Sequence, residues 1–381
     1  MKKESPLFIY SHRKEIIKLL GKWMNKQHYD IRNLLECPSE YLIGFGEKSN
    51  GKSTACQMVG ICLWLLFNKQ MVLVRVFDED FKKGRAEKMF SGVPDAFIKD
   101  VSKGVYDAII YKNFKWYLAK YDSDMDKYIL ANDPFCFRQC ILNAGSSFQM
   151  PEVEMIFFDE FISTRPNYPN EFIDFQTLVS TIIRLKDSVQ VFMMGNTVNY
   201  FSIYFVEMGL KNIKKQKQGT IDTYSYGENE VMHVSVEFTD SIPLKEKSNK
   251  YFAFDNPKLE MIKNGSWQIS NYPHLPYKYK PKDIILTYFI IFKEEIFQCE
   301  IISHEDTMFT YIHRKSTPIK NFDEDIIYQE SDDPRMNISC NIKRPVFEFQ
   351  KIIYSFFANN KVFYQDNEIG DTIRAYLSSC A

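Results

Sequence analysis

No apolar run in this 381-residue chain is long enough to cross a bilayer. The longest, Val59 to Phe67, is under half the roughly 20 residues a spanning helix needs. The lysines near the start precede only Leu7-Phe8-Ile9-Tyr10, too short for a secretory core. The expectation is a soluble, intracellular protein with no membrane partner. Charge of one sign is also lacking: 48 Lys and Arg face 49 Asp and Glu, a formal net charge of −1. That balance excludes a broad basic face for nucleic acid and confines any such contact to a patch or channel. Eight cysteines are scattered, and the closest pair, Cys136 and Cys140, has no second pair or histidine at zinc-ligand spacing. Buried reduced thiols are expected. Internal repeats, low-complexity tracts and an N-K-x-D guanine signature are absent as well. What is present is ample core material: 45% apolar residues and 15% aromatics, in a chain long enough for two domains.

The pattern of runs predicts a helical preface over 1–40, with Ser11 capping a helix towards Lys26. Tyr41-Leu42-Ile43 reads as a strand, followed by a Gly-rich loop and an apolar helix from Lys52 to about Phe67. Met71 to Val76 is nearly all apolar, as for a central strand of a parallel sheet. Residues 105–150 alternate strand-like pieces with turns, an antiparallel insertion. Val153 to Phe158 is another buried strand, a helix spans Glu171 to Lys186, and Val189 to Met194 is the next strand. This alternation predicts an α/β P-loop ATPase domain over 41–205 with a mostly parallel sheet. A linker is expected over 206–250, then a smaller α+β domain over 251–381. Within it Ile284–Phe292 and Ile296–Ile302 form a hairpin, and Val346–Ala358 and Asp366–Ser379 are closing helices.

Gly46-Glu47-Lys48-Ser49-Asn50-Gly51-Lys52-Ser53 matches G-x-x-x-x-G-K-[ST] in full. Glycines let backbone N–H groups wrap phosphates, and the helix behind points its positive end at them. Lys52 reaches the β- and γ-phosphates, and Ser53 offers a hydroxyl to Mg²⁺. The nucleotide set is therefore Gly46, Lys48, Asn50, Gly51, Lys52, Ser53, Thr54 and Asp159, with Ser53 and Asp159 on the metal. Met155 to Phe158 runs straight into Asp159-Glu160. An Asp there holds Mg²⁺ and the following Glu orients and polarises water, which points to hydrolysis of ATP rather than phosphoryl transfer to a metabolite. Gly195-Asn196-Thr197 ends the next strand, where Asn196 would report the γ-phosphate. Arg75, Arg165 and Arg184 are candidates for a finger serving a neighbouring subunit's site. A P-loop kinase, a helicase and a nucleotide-gated scaffold are the rival readings.

These residues together resemble the DNA-packaging (encapsidation) ATPases of small protein-primed podophages. The similarity rests on Gly46–Ser53, Val74-Arg75, Phe158-Asp159-Glu160-Phe161-Ile162, Tyr168-Pro169-Asn170-Glu171, Ser180–Arg184, Gly195-Asn196-Thr197 and Phe363–Ile369. The resemblance implies a homopentameric ring docked on the capsid portal in the host cytoplasm. It implies translocation of double-stranded DNA driven by ATP and Mg²⁺ and Arg184 acting in trans, and leaves open whether a structural packaging RNA is a further partner. The 40-residue preface and Asp78 depart from that pattern. The resemblance also implies that the second domain is an RNase H-like nuclease fold that has lost activity. An active terminase-type nuclease would need several carboxylates on sheet ends to hold two Mg²⁺ ions. The first hairpin strand carries none: Asp283 lies at its start, Glu294 and Glu295 sit in the turn, and Asp306, Asp366 and Asp371 share no evident metal geometry. Lys82-Lys83-Gly84-Arg85 and Lys211–Lys217 are the basic patches that DNA would find.

Overall fold

The computed structural model describes residues 7–24, 29–48, 50–146, 150–162, 168, 170–184, 186–197, 202–228, 231–240, 272–275, 278–293, 295–305, 307–331 and 333–380. The chain divides into two compact units, Met1–Gln268 and Ile269–Ala381.

The first unit is built on a ten-stranded sheet. Its parallel heart runs in the order β6 (Cys136–Cys140), β2 (Gln70–Arg75), β7 (Val153–Asp159), β8 (Gln190–Asn196), β1 (Tyr41–Gly46) and β10 (Met232–Phe238). Antiparallel strands flank it. β9 (Thr220–Tyr226) pairs with β10, and β3 (Ala108–Lys112), β4 (Lys115–Asp122) and β5 (Lys127–Leu130) extend from β6.

Alternate residues of the central strands feed two separate cores, so both sheet faces are covered and the strands read as continuous apolar runs. Leu42, Leu73, Phe157 and Phe192 pack with helix α4 (Lys52–Phe67) and the preface helices α1 (Phe8–Ser11), α2 (Arg13–Leu20) and α3 (Arg32–Leu35). Ile43, Val74, Phe158 and Met193 point the other way, against α7 (Glu171–Ile183) and α8 (Ile203–Glu207). α4 is apolar all round because it lies between the sheet and the preface. It stops at Asn68, a left-handed residue whose N–H bonds to the Trp64 carbonyl. The short helices α5 (Lys83–Ala86) and α6 (Asp95–Val101) occupy the connection from β2 to β3.

Three sequence expectations need correction. Ser11 ends α1 instead of capping the next helix, and α2 begins after His12 without a side-chain cap. The preface is not a separate extension, since Ile9, Ile16 and Leu20 are fully buried in the α4 core. The stretch expected as a linker contributes β9 and β10, and β10 pairs directly with the phosphate-loop strand. Polar Thr, Ser and Glu side chains in these strands hid them, because they occupy one edge of the sheet rather than its centre.

The second unit has a six-stranded mixed sheet. β11 (Ile284–Phe292), β12 (Glu295–His304) and β13 (Thr307–Arg314) form an antiparallel meander. β14 (Ile326–Gln329) and β15 (Ile338–Ser339) add in parallel beyond β11, and β16 (Val362–Tyr364) adds in parallel beyond β13. Leaving β16 aside, the order is 3-2-1-4-5, the RNase H-like arrangement. Helices α9 (Glu348–Ala358) and α10 (Asn367–Ser379) close the unit, with the Asp366 carboxylate capping α10 at 2.8 Å from the Ile369 nitrogen.

Candidate nucleotide site

β1, β2, β7 and β8 are parallel neighbours, so their carboxyl ends meet at one sheet edge, where open α/β sheets bind ligands. A cavity of about 410 Å³ lies there. Lys48, Asn50, Gly51, Lys52, Ser53, Thr54, Asp159, Glu160 and Asn196 all line it. β8 stands between the phosphate-loop strand and the acid-bearing strand. Its end therefore sits between the two motifs, and Asn196 Oδ1 comes to 3.4 Å from Lys52 Nζ.

The loop turns into α4 through Gly51, whose φ of 93° suits glycine and strains other residues. Gly46 is not among the residues that line the cavity. A Cβ there would meet Thr239 Oγ1 at 2.0 Å, so glycine is what lets the end of β10 approach. Ser49 lies outside the described residues. Lys52 is buried, and its ammonium donates to the Glu47 carbonyl at 2.6 Å and to Asn50 Oδ1 at 3.0 Å. Burial pulls its pKa down to about 7, against the opposing pull of Asp159 and Glu47.

Ser53 Oγ donates to Asp159 Oδ1 at 2.6 Å. Burial raises the Asp159 pKa although Arg75 and Ser53 oppose it. A buried cation and a buried acid, both pushed towards neutrality, describe a cradle that gains from an added phosphate anion and an added cation. The paired Ser53 and Asp159 oxygens are the hard donors that Mg²⁺ takes. The residues fit Mg-nucleotide.

Arg75, at the end of β2, forks between the two acids: Nη2 lies 2.6 Å from Asp159 Oδ2, and Nη1 bonds to Glu160 Oε2. The sequence offered Arg75 only as a candidate for a neighbour's site; the structure places it on its own chain's acids. Burial works against its charge, but Asp159 and Glu160 hold its pKa above the ordinary value. Glu160 has a positive φ of 57° and an exposed side chain.

Arg184 does not enter this cavity. It closes α7 as an exposed residue, and nearby Lys186 donates to the Pro151 and Val153 carbonyls at the start of β7. Arg184 thus lies towards the strand-start edge, away from the site in its own chain. Arg165 is outside the described residues. Sequence reasoning missed Gly92, which lines the cavity beside Thr54, and Thr239, which bonds Asn50. Neither lies in a motif, and only long-range folding brings them there.

In the second unit the named carboxylates have local partners. Asp283 accepts from the Lys280 N–H at 2.8 Å, Asp371 from the Tyr272 hydroxyl at 2.7 Å, and Arg314 bridges Glu295 and Glu368. Buried Glu300 on β12 accepts from Gln298 Nε2 at 2.6 Å and from the Tyr279 hydroxyl, with His313 Nε2 at 3.5 Å. Glu294 and Asp306 lie outside the described residues. Among the described residues no group of three or more His, Cys, Asp or Glu side chains is arranged to hold a metal.

Fold and site define the P-loop class in which an extra strand separates the phosphate-loop strand from the strand ending in Asp-Glu, followed here by an RNase H-like unit. No protein-family model matches the sequence, and no curated protein does. Among solved structures the chain shares its fold with the bacteriophage phi29 viral genome packaging motor assembly. That match has TM-score 0.53 and 16% identity, and covers 93% of this chain and 100% of the other. The Phi-28 gp11 DNA packaging motor matches with TM-score 0.50 and 16% identity, over 93% of this chain and 98% of that one.

Proposed function

We propose that this protein is the ATP-driven motor that moves double-stranded viral DNA into a capsid. The observation that carries the reading is Glu160 placed directly after the metal-site acid Asp159, at the mouth of a phosphate cradle. The fold shared with two phage packaging motors over 93% of this chain supports it.

Loop amides and Lys52 hold the triphosphate, and Asn196 hydrogen-bonds beside its terminal phosphate. Ser53 and Asp159 would hold Mg²⁺, which would supply charge neutralisation. Glu160 orients a water molecule and draws its proton as attack begins. In the structure that carboxylate is occupied by Arg75. The Glu160 side chain is 62% exposed, so solvent screens this arm of the fork more than the buried Asp159 arm. The Asp159 arm is buried, and removing one partner of such a pair costs about 3–5 kcal/mol. Arg75 therefore stays on Asp159 while Glu160 swings to the water.

A ring of subunits, five in the reading offered here, docks on the portal of the prohead in the host cytoplasm. Arg184, exposed and absent from its own cavity, is assigned to the neighbour's site. The second unit binds DNA, the portal or a packaging RNA without cutting, a reading supported by a first strand, β11, that carries no carboxylate.

The test is ATP turnover by purified protein with and without duplex DNA and empty capsids. Stimulation by duplex DNA with release of free phosphate is expected. Turnover indifferent to DNA, a phosphorylated metabolite, or strand separation in place of duplex translocation would each overturn the reading.

A further inference from the structure

The phosphate-loop lysine is oriented by a residue far away in sequence. Asn50 Oδ1 accepts from Lys52 Nζ at 3.0 Å, so the Asn50 amide must present its oxygen, not its nitrogen, to the ammonium. The donor-only ammonium sets that choice, and the other end of the amide is held by Thr239, fully buried, whose Oγ1 accepts from Asn50 Nδ2 at 3.0 Å. Thr239 is itself pinned to the loop's entry strand: its N–H donates to the Phe45 carbonyl at 2.9 Å, and its hydroxyl fills the space left by the missing Cβ of Gly46. The Asn50 backbone is held from the opposite direction, since the Tyr29 N–H donates to its carbonyl at 2.8 Å. Tyr29 in turn bonds through its hydroxyl to Glu237 at 2.5 Å, two residues before Thr239. Asn50 is thus gripped on two atoms by groups that both lead to the end of β10.

We propose that Thr239 is a positioning residue for the phosphate loop, anchoring the nitrogen end of the Asn50 amide so that its oxygen stays within reach of the Lys52 ammonium at the cavity. The proposal rests on the nucleotide-site reading above. It gives β10, read from the sequence as linker, a part in the chemistry. It also explains why the entry strand ends in glycine: a side chain at Gly46 would displace the threonine hydroxyl.

The test compares Thr239→Val with Thr239→Ser, measuring ATPase kcat and KM together with Mg-ATP binding by calorimetry on the full chain. Valine keeps the shape and methyl but leaves the buried Asn50 amide without its acceptor, a loss equivalent to about tenfold in kcat/KM. Serine keeps the hydroxyl and loses the methyl, so it should stay within about threefold of the wild-type protein, following the smaller worth of one methyl group. A role in packing alone predicts the reverse order. In an Asn50→Ala background, Thr239→Val should add no further loss, because the bond it removes is already gone. Wild-type kcat/KM in Thr239→Val, or full additivity with Asn50→Ala, overturns the proposal. A wild-type chain that binds no Mg-ATP instead overturns the nucleotide-site reading beneath it.

Discussion

At the scale of single residues, the buried charges of the site suit an anionic ligand and a cation. Lys52 has a pKa near 7 because burial disfavours its ammonium, well below the usual 10.5. Between those values the unfolded chain holds a proton that the folded chain lacks. The stability contributed by this group therefore rises with pH across that window, and the burial cost is fully present below about pH 7. A bound triphosphate restores the charge. Mg-ATP binding should therefore take up close to one proton at about pH 8.5 and almost none at about pH 6, read by calorimetry in buffers of different ionisation enthalpy. Uptake that does not vary with pH would place Lys52 outside the phosphate site. Glu160→Gln should bind ATP normally yet hydrolyse it roughly 10²–10⁴-fold more slowly, the worth of a general base. Single-turnover hydrolysis measures this, and near-normal turnover would remove Glu160 from its role.

At the scale of elements, what builds the site is the parallel sheet edge and its close approaches. β10 lies against β1 in register from Tyr41↔Val234 to Phe45↔Phe238, bringing Thr239 beside Gly46. Gly46→Ala should lower stability by about 1–3 kcal/mol, the cost of overpacking, and abolish tight nucleotide binding. Denaturant unfolding and ATP titration read the two effects. On the far side of the sheet, Ile61 is fully buried in α4 among the preface residues. Ile61→Ala should cost about 2–5 kcal/mol while leaving the nucleotide's contacts in place, so urea midpoints fall and KM holds. The apolar helix and the central strands were legible from their runs. β9 and β10 were not, because Thr223, Ser235 and Glu237 interrupt the apolar pattern at positions where the fold supplies partners such as Ser39 and Tyr29.

At the scale of the whole molecule, the reading requires subunits to complete one another. Arg184→Ala should leave ATP binding intact and abolish hydrolysis in the assembled ring. Mixing it with Glu160→Gln should restore part of the activity, because some interfaces then join an intact Glu160 to an intact Arg184. An Arg184→Ala ring at wild-type turnover, or no recovery on mixing, would mean that another group serves the neighbour's site.

Lys52, Ser53, Asp159, Glu160 and Asn196 could be singled out from sequence because phosphate and water chemistry favours certain residue types at short spacing, and the structure brings all five to one cavity. The parallel core was equally legible, since burial on both faces leaves an unbroken apolar signature, whereas the extent of the first unit was not, since it takes in the preface and β10. Folding alone decided that Arg75 forks across its own acids, that Arg184 stays outside its own cavity, and that Thr239 bonds Asn50. Those are contacts across 84, 85 and 189 residues of chain, or the lack of one, and no local pattern encodes a distance that only sheet order creates.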